Sequence, residues 1–251
     1  MSLAGHLIEF RNRLFKSAIA IVVGMLLGWW LTDAYVWNAI QEPVKLVAEA
    51  RHDQTSLVFP TITSSFDLRL QIAFTLGIVV SAPVWLYQVF AFLVPGLSKK
   101  ERRFTFGFFA SAIPLFFAGC AAGWFVLPNI VHLMTGFVPS GSLTLLTARE
   151  YIDFVLKLVL AIGIAFVLPV FIVLLNFAGV ISAQAIIKSW RVAILVITLF
   201  TAIATPSADV VSMFVLAIPM VILYFTAWFI ASLHDRRIAK RDPLAEPIPT
   251  E

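Results

Sequence analysis

Residues 154–180 read FVLKLVLAIGIAFVLPVFIVLLNFAGV, and this stretch decides the class to which the chain belongs. From residue 158 to residue 187 the sequence contains no Asp, Glu, Lys or Arg. A helix that crosses a bilayer needs about 20 mainly apolar residues, because each residue adds about 1.5 Å to its length. The stretch is therefore long and apolar enough to span a membrane.

The composition of the whole chain points the same way. Of its 251 residues, 61% are hydrophobic and 13% are charged, whereas soluble domains average about 45–50% apolar and about 25% charged residues. We therefore predict an all-α integral membrane protein in which residues 1–240 form one transmembrane domain. The first apolar run lacks a cleavage-site pattern, so we expect it to be a retained span. Six stretches are predicted to cross the membrane: 15–32, 70–92, 104–127, 154–180, 186–205 and 210–233.

The fifth predicted span is the shortest. Its uncharged part, residues 192–205, would be about 21 Å long as a helix, which is less than a hydrocarbon core of about 30 Å. Four other spans contain a proline near their middle, which removes a backbone donor and tends to kink a helix. Such prolines are also common in membrane helices, so they fit an ordinary bundle as well as a bent, cupped one. They are Pro83, Pro114, Pro169 and Pro219.

Basic residues predict the orientation of the spans, because cytoplasmic loops are enriched in Lys and Arg. The N-terminal segment, the second and fourth loops and the tail together hold 13 of the 18 basic residues, and the other three loops hold five. Both termini are therefore predicted to be cytoplasmic. In the first loop we predict a helix near residues 35–47 and an extended segment over 57–65. The Pro-rich tail, 241–251, is predicted to be disordered.

The predicted membrane interior lacks the groups that ion-coupled transporters use. No acidic or basic residue lies in the central part of any of the six spans, whereas proton relays and coupling ions need such groups at membrane depth. The sequence contains no phosphate-binding P-loop, no HExxH and no GxSxG motif. Its single cysteine, Cys120, is not part of a Cys/His cluster. We expect no enzymatic activity, no cofactor, no metal site and no nucleic-acid partner.

Two charge clusters on the predicted cytoplasmic face are the candidates for function. The first is HLIEFRNRL at 6–14, where the bases serve topology and Glu9 can pair with Arg13 one helical turn away. The second is FLVPGLSKKERRF at 92–104, where Glu101 fits a helix capping box. Each cluster nevertheless places one carboxylate where topology asks only for positive charge. Two carboxylates framed by bases could receive two guanidinium groups, which dock on carboxylates bidentately.

The sequence resembles the TatC family, the large core subunit of the twin-arginine protein translocase. The resemblance runs from about residue 6 to residue 240. It implies six helices arranged as a cupped hand, with a short fifth helix and both ends inside. The stretches that carry it are HLIEFRNRL, SAPVWLYQVFAFLVPGLSKKERRF (81–104), GIAFVLPVFIVLLN (163–176), and TPSADVVSM with LAIP (205–219).

The resemblance also implies which residues read a signal peptide. Glu9 and Glu101 would pair with its two arginines. Pro43 and Asp209 match positions linked to function in the family. The family often has a glutamate in the fourth helix, which is thought to recruit single-span partners, whereas this chain has Val167 there. The remaining implied signal-binding residues are Arg11, Arg13, Arg102, Arg103 and Phe92.

The function that the resemblance implies is that of a non-enzymatic receptor and scaffold in the cytoplasmic membrane of a prokaryote. It would bind twin-arginine signal peptides of folded cargo, assemble with TatA- or TatB-like single-span proteins and with copies of itself, and use the proton-motive force. The residues alone leave open a small-solute permease or channel subunit, and a purely structural subunit. A permease would need a polar pathway at membrane depth, which the sequence does not supply.

Overall fold

The computed structural model describes residues 3–51, 56–59, 61–93, 101–136, 145–204 and 210–241. Almost all of them are helical, and one short pair of strands joins two connections. The helices are α1 Leu3–Leu31, α2 Trp37–Arg51, α3 Ile62–Val80, α4 Ala82–Leu93, α5 Glu101–Gly136, α6 Ala148–Phe177, α7 Ala183–Lys188, α8 Trp190–Ala204 and α9 Val210–Arg241. A π-helical turn, Thr32–Val36, joins α1 to α2, and the strands are β1 Ser56–Val58 and β2 Leu145–Thr147.

Helix length and apolar character confirm the all-α membrane class. In the described residues, four helical segments are long and apolar enough to cross a bilayer, and a bent pair made of α3 and α4 provides a fifth. Helix α8 is apolar but has only 15 residues, which is below the usual range of about 17–25 for a span. That α8 is the remaining one of the six predicted spans therefore stays a prediction. The four long segments are Gly5–Lys45, Gly107–Val131, Ala148–Phe177 and Val210–Ile238.

The second predicted span is broken rather than straight. Helices α3 and α4 meet at Ser81 with an angle of 55° between them. Pro83 has no backbone N–H, so the carbonyl of Val79 lacks its usual donor four residues later, and the Ser81 amide bonds to it instead. Across the break, the indole Nε1 of Trp85 donates to the carbonyl of Ile78 at 2.9 Å. The other three prolines lie inside continuous helices, and kinks at those positions stay a prediction.

Glycines allow α1 to pack closely on α3. A Cβ built on Gly24 would lie 2.6 Å from the carbonyl oxygen of Gly77, and one on Gly28 would lie 2.6 Å from that of Ala73. Gly24 and Gly28 form a GxxxG motif, which is typical of close backbone contact between membrane helices. The bent pair thus lies antiparallel along α1, and this arrangement continues into α4.

Helices α5 and α6 form the second close pair, at the centre of the bundle. A Cβ on Gly119 would lie 2.8 Å from the carbonyl oxygen of Ile162, and one on Gly163 would lie 2.6 Å from Cys120 Sγ. Cys120 is buried there, among aromatic and aliphatic side chains. Helix α6 also packs against α3 and α9.

The first loop agrees with the sequence prediction in part. The helix expected near residues 35–47 is α2, and Tyr151 of α6 ties it down by donating its hydroxyl to the carbonyl of Ile40 at 3.0 Å. The extended segment expected over 57–65 is wrong from residue 62 onward, because α3 begins at Ile62. The Ser64 amide and hydroxyl both bond to the carbonyl of Thr61 and start the helix.

The extended part that remains is β1, which pairs in parallel with β2, Leu57 lying opposite Leu146. The predicted tail after Arg241 lies outside the described residues, and so does the Pro95–Gly96 pair, a dipeptide that favours a turn between α4 and α5.

Candidate functional site

The start of α1 packs against the end of α4, and the candidate site lies at this junction. The rings of His6 and Phe92 are stacked with their centroids 4.4 Å apart. Phe10 also contacts Phe92, at 5.5 Å between centroids. One turn earlier on α4, Gln88 Oε1 accepts a hydrogen bond of 3.4 Å from Arg13 Nη1. These contacts hold the N-terminal turns of α1 against α4. The same turns carry both polar and apolar side chains.

Glu9 is held by Arg13, as the sequence predicted. Arg13 donates from Nη2 to Glu9 Oε1 at 2.6 Å and from Nε to the same oxygen at 3.0 Å. Among the described residues, no hydrogen bond reaches the second carboxylate oxygen, Oε2. The side chain of Glu9 is 22% exposed. The carboxylate is therefore oriented through Oε1, and Oε2 can accept a hydrogen bond from a ligand.

A shallow depression of about 390 Å³ lies along this face of α1. Its lining includes Glu9 and Arg13 together with polar and basic side chains. Arg11 is exposed but does not line it. Of the predicted arginines, Arg13 therefore belongs to the site geometry, and Arg11 lies outside it. The lining residues are Gly5, Ile8, Glu9, Asn12, Arg13 and Lys16.

Glu101, Arg102 and Arg103 form the first turn of α5, and their side chains lie outside the described part of the chain. Their backbone is nevertheless placed by the packing of α4 on α5, where the rings of Tyr87 and Phe109 have centroids 5.5 Å apart. Glu101 precedes Phe109 by about 12 Å of helix rise. It therefore lies towards the same end of the bundle as Phe92. We call this end, where α1 and α5 begin and α4, α6 and α9 end, the receptor end.

Asp235 is a third carboxylate at the receptor end, and sequence analysis gave it no role. Its Oδ1 accepts from Asn176 Nδ2 at 3.0 Å, and its Oδ2 accepts from the backbone amide of Ala183 at 2.7 Å. Asn176 also donates to the carbonyl of Ile181 at 2.9 Å. Both carboxylate oxygens are thus used to join the ends of α6 and α9 to the start of α7. Asn176 of α6 thus bonds to a neighbouring helix, α9.

Two further residues from the sequence analysis do not reach this junction. Pro43 is buried in α2, which follows the far end of α1. Helix α1 has 29 residues, so its two ends are about 42 Å apart along the axis. Asp209 lies outside the described residues. Among the described residues, no group of three or more His, Cys, Asp or Glu side chains is placed to hold a metal ion.

Val167, where the family often has a glutamate, is buried. Its side chain is only 2% exposed and packs in an apolar cluster with residues of α4 and α5, among them Leu86 and Phe116. A carboxylate at this position would have no described polar partner in that cluster. The valine therefore suits its surroundings in this chain.

We predict that Val167→Glu destabilises the protein, by about 3 kcal/mol, the typical cost of a charged residue at the centre of a membrane helix. Thermal unfolding in detergent, followed by loss of the monodisperse species, measures the effect, and Val167→Leu is the apolar control. If the family's fourth-helix glutamate recruits partners in this chain as well, Val167→Glu should instead strengthen co-purification with a TatA-like partner. A Val167→Glu protein that is as stable as the parent would show that position 167 reaches water or a partner after all.

Comparison with known proteins decides which family this architecture represents. The family model for Sec-independent protein translocase protein (TatC) matches residues 5–219. The chain belongs to the TatC family. A Sec-independent protein translocase protein TatC from Xylanimonas cellulosilytica is 41% identical, over 96% of this chain and 87% of that protein. The corresponding protein from Rothia mucilaginosa is 35% identical, over 94% and 81%.

Solved structures of the TatC family also match the fold. The crystal structure of a twin-arginine translocase receptor, TatC, in the detergent DDM superimposes with a TM-score of 0.76 at 29% identity, covering 90% of this chain and 99% of that one. A second crystal structure of that receptor gives a TM-score of 0.72 at 28% identity. The chain is thus a multi-pass membrane component of the Sec-independent, twin-arginine translocase, and TatC proteins are not enzymes. This membership points to a prokaryotic plasma membrane.

Proposed function

We propose that the receptor end of this TatC-family protein binds the paired arginines of a twin-arginine signal peptide. Glu9 would take one guanidinium through its open oxygen, Oε2, and Glu101 would take the other. The observation that carries the proposal is the carboxylate of Glu9, which Arg13 holds through one oxygen, on the turn of α1 that packs on Phe92 through His6 and Phe10. A carboxylate that is already oriented loses little entropy when it binds a planar guanidinium. Two N–H groups of one guanidinium can converge on a single oxygen, as those of Arg13 do on Oε1.

The other residues of the receptor end have supporting roles in this proposal. Arg13 orients Glu9, and the exposed Arg11 with Arg102 and Arg103 would hold this end of the protein at anionic lipid headgroups. Phe92, stacked on His6 and touching Phe10, would contact the apolar residues that follow the arginine pair. Pro43 and Asp209 would act elsewhere, as implied by their match to functional positions in the family.

Both termini would be cytoplasmic, which is supported by the excess of Lys and Arg in alternate segments. Helix α8 would be a short fifth span, giving six spans in a cupped, proline-bent bundle whose domain is residues 1–240, with a disordered tail. The scaffold would assemble with TatA- or TatB-like single-span proteins and with copies of itself. Transport would be driven by the proton-motive force, since the sequence carries no P-loop for a nucleotide.

Photocrosslinking of a signal peptide to the purified full-length chain tests this function. A photoreactive residue placed beside the arginine pair should label the protein, and labelling should centre on peptides from the receptor end. A peptide with Lys-Lys in place of Arg-Arg keeps the charge but cannot form bidentate pairs. We expect it to label the protein roughly ten-fold less, the effect of losing about 1.4 kcal/mol of binding.

Equal labelling by the Arg-Arg and Lys-Lys peptides would reject guanidinium recognition and leave only charge attraction. The permease alternative has its own readout: vesicles that contain the purified chain would move a small solute without any signal peptide.

A further inference from the structure

A groove of about 600 Å³ lies between α5, α6 and α9, away from the junction of α1 and α4. Its volume falls in the range of about 300–1,000 Å³ that is typical of small-molecule sites. Its walls are mainly apolar, and the first half of α5 meets the last halves of α6 and α9 there. The lining residues are Gly107, Phe108, Ser111, Leu115, Pro169, Val170, Val173, Phe177, Leu223, Thr226, Ala227, Ile230, Leu233, His234, Arg237 and Ile238.

The two hydroxyl groups in the walls do not make the groove polar. Ser111 donates to the carbonyl of Phe108 at 2.9 Å, and Thr226 donates to the carbonyl of Ile222 at 2.7 Å. Each hydroxyl is thus already bonded to its own helix. An occupant would meet hydrocarbon along most of the groove, and several lining side chains, such as Ile230 and Leu233, are also open to the surroundings.

Among the described residues that line the groove, Arg237 at one end is the only Lys, Arg, Asp or Glu. Arg237 and His234 lie at its mouth, at the receptor end, and Arg237 is exposed. The neighbouring carboxylate of Asp235 is bonded to Asn176 and to the amide of Ala183. Asp235 itself does not line the groove, although its Oδ1 lies 3.7 Å from His234 Nδ1, so the positive charge at the mouth is that of Arg237.

The length of the groove matches one leaflet of a membrane. From Arg237 to Leu223, α9 rises about 21 Å, at about 1.5 Å per residue. One leaflet, as half of a bilayer of about 40–45 Å including headgroups, has nearly the same thickness. A partner's transmembrane helix would instead need contact over a hydrocarbon core of about 30 Å, whereas the lining reaches no deeper than Leu115, Pro169 and Leu223.

We propose that this groove binds one anionic phospholipid, with an acyl chain along the apolar walls and the phosphate at Arg237. The bound lipid would fill the seam between α5 and α9 and so stabilise their arrangement. The inference rests on the membrane location and on the groove, and it does not depend on how the protein reads a signal peptide.

Native mass spectrometry of the full-length chain in detergent tests the lipid site. We expect one tightly retained phosphatidylglycerol, bound in preference to phosphatidylcholine of the same chain length. Arg237→Gln should weaken this retention about five-fold, the contribution expected of one arginine at a charged membrane surface. Arg237→Lys should keep most of the preference. Arg236→Gln is the matched control, because Arg236 carries the same charge beside the groove without lining it.

A second variant tests the apolar part of the groove. A Cβ at Gly107 meets no atom within 4 Å, so Gly107→Leu should fold normally while its side chain fills space that the acyl chain needs. It should lower retention of both lipids. If Arg236→Gln and Arg237→Gln weakened lipid retention equally, the lipid would be responding to surface charge alone, and the proposed site would be wrong. Full retention in Gly107→Leu, or crosslinking of a partner helix along the groove with no lipid retained, would overturn it as well.

Discussion

Gly77→Leu should leave little folded protein, because the substitution forces apart the backbones of α1 and α3. A Cβ at this position would lie 2.7 Å from the amide nitrogen of Met25 and 2.8 Å from the carbonyl oxygen of Ile21. Both atoms belong to the backbone of α1, so no change of rotamer can relieve the clash. Overpacking against side chains costs about 1–3 kcal/mol, and a clash with fixed backbone should cost more than that.

The yield of monodisperse protein in detergent and its thermal unfolding measure this effect. Gly107→Leu is the matched control, since it makes the same replacement inside a membrane helix where the Cβ has open space. It should give a yield of monodisperse protein close to that of the parent and lose far less stability than Gly77→Leu. If Gly77→Leu were as stable as Gly107→Leu, α1 and α3 could not be in the close contact described.

The sequence predicted which segments are helices in a membrane much better than it predicted how they meet. Apolar length alone identified the segments that became α5, α6 and α9. The GxxxG spacing of Gly24 and Gly28 is visible in the sequence, but it does not identify the helix that packs against it. The structure shows that this helix is α3, with Gly77 at the contact. The start of α3 was also missed, because β-branched residues before Ser64 favoured an extended chain.

The candidate site shows the same limit. The pair of Glu9 and Arg13 is local, one helical turn apart, and was predicted from spacing. Its link to Gln88 and the stack on Phe92 join residues far apart in sequence, and periodicity carries no information on which helices face each other. The argument that a carboxylate among bases marks a binding site would also select Asp235. The structure assigns that residue to helix ends instead, since both of its oxygens are bonded within the chain.

Replacing both Glu9 and Glu101 by glutamine should abolish recognition of the arginine pair while the protein stays folded. Each change removes a charge but keeps the size of the side chain, so a docking guanidinium loses its charged acceptor. We expect about a ten-fold loss of affinity for each single variant, corresponding to about 1.4 kcal/mol. Two separate sites should be nearly additive, which gives roughly a hundred-fold loss for the double variant.

Titration of a fluorescent twin-arginine peptide against each variant in detergent gives the affinities. Asp235→Asn is the matched control, because it removes one negative charge from the same end of the bundle at a carboxylate whose two oxygens are already bonded. It should lower thermal stability and leave peptide affinity unchanged. The same loss of affinity in Asp235→Asn would mean that the peptide senses only the net charge of this end. Unchanged affinity in the Glu9 and Glu101 double variant would show that neither carboxylate binds the arginine pair. Oε2 of Glu9 would then have no role in holding an arginine.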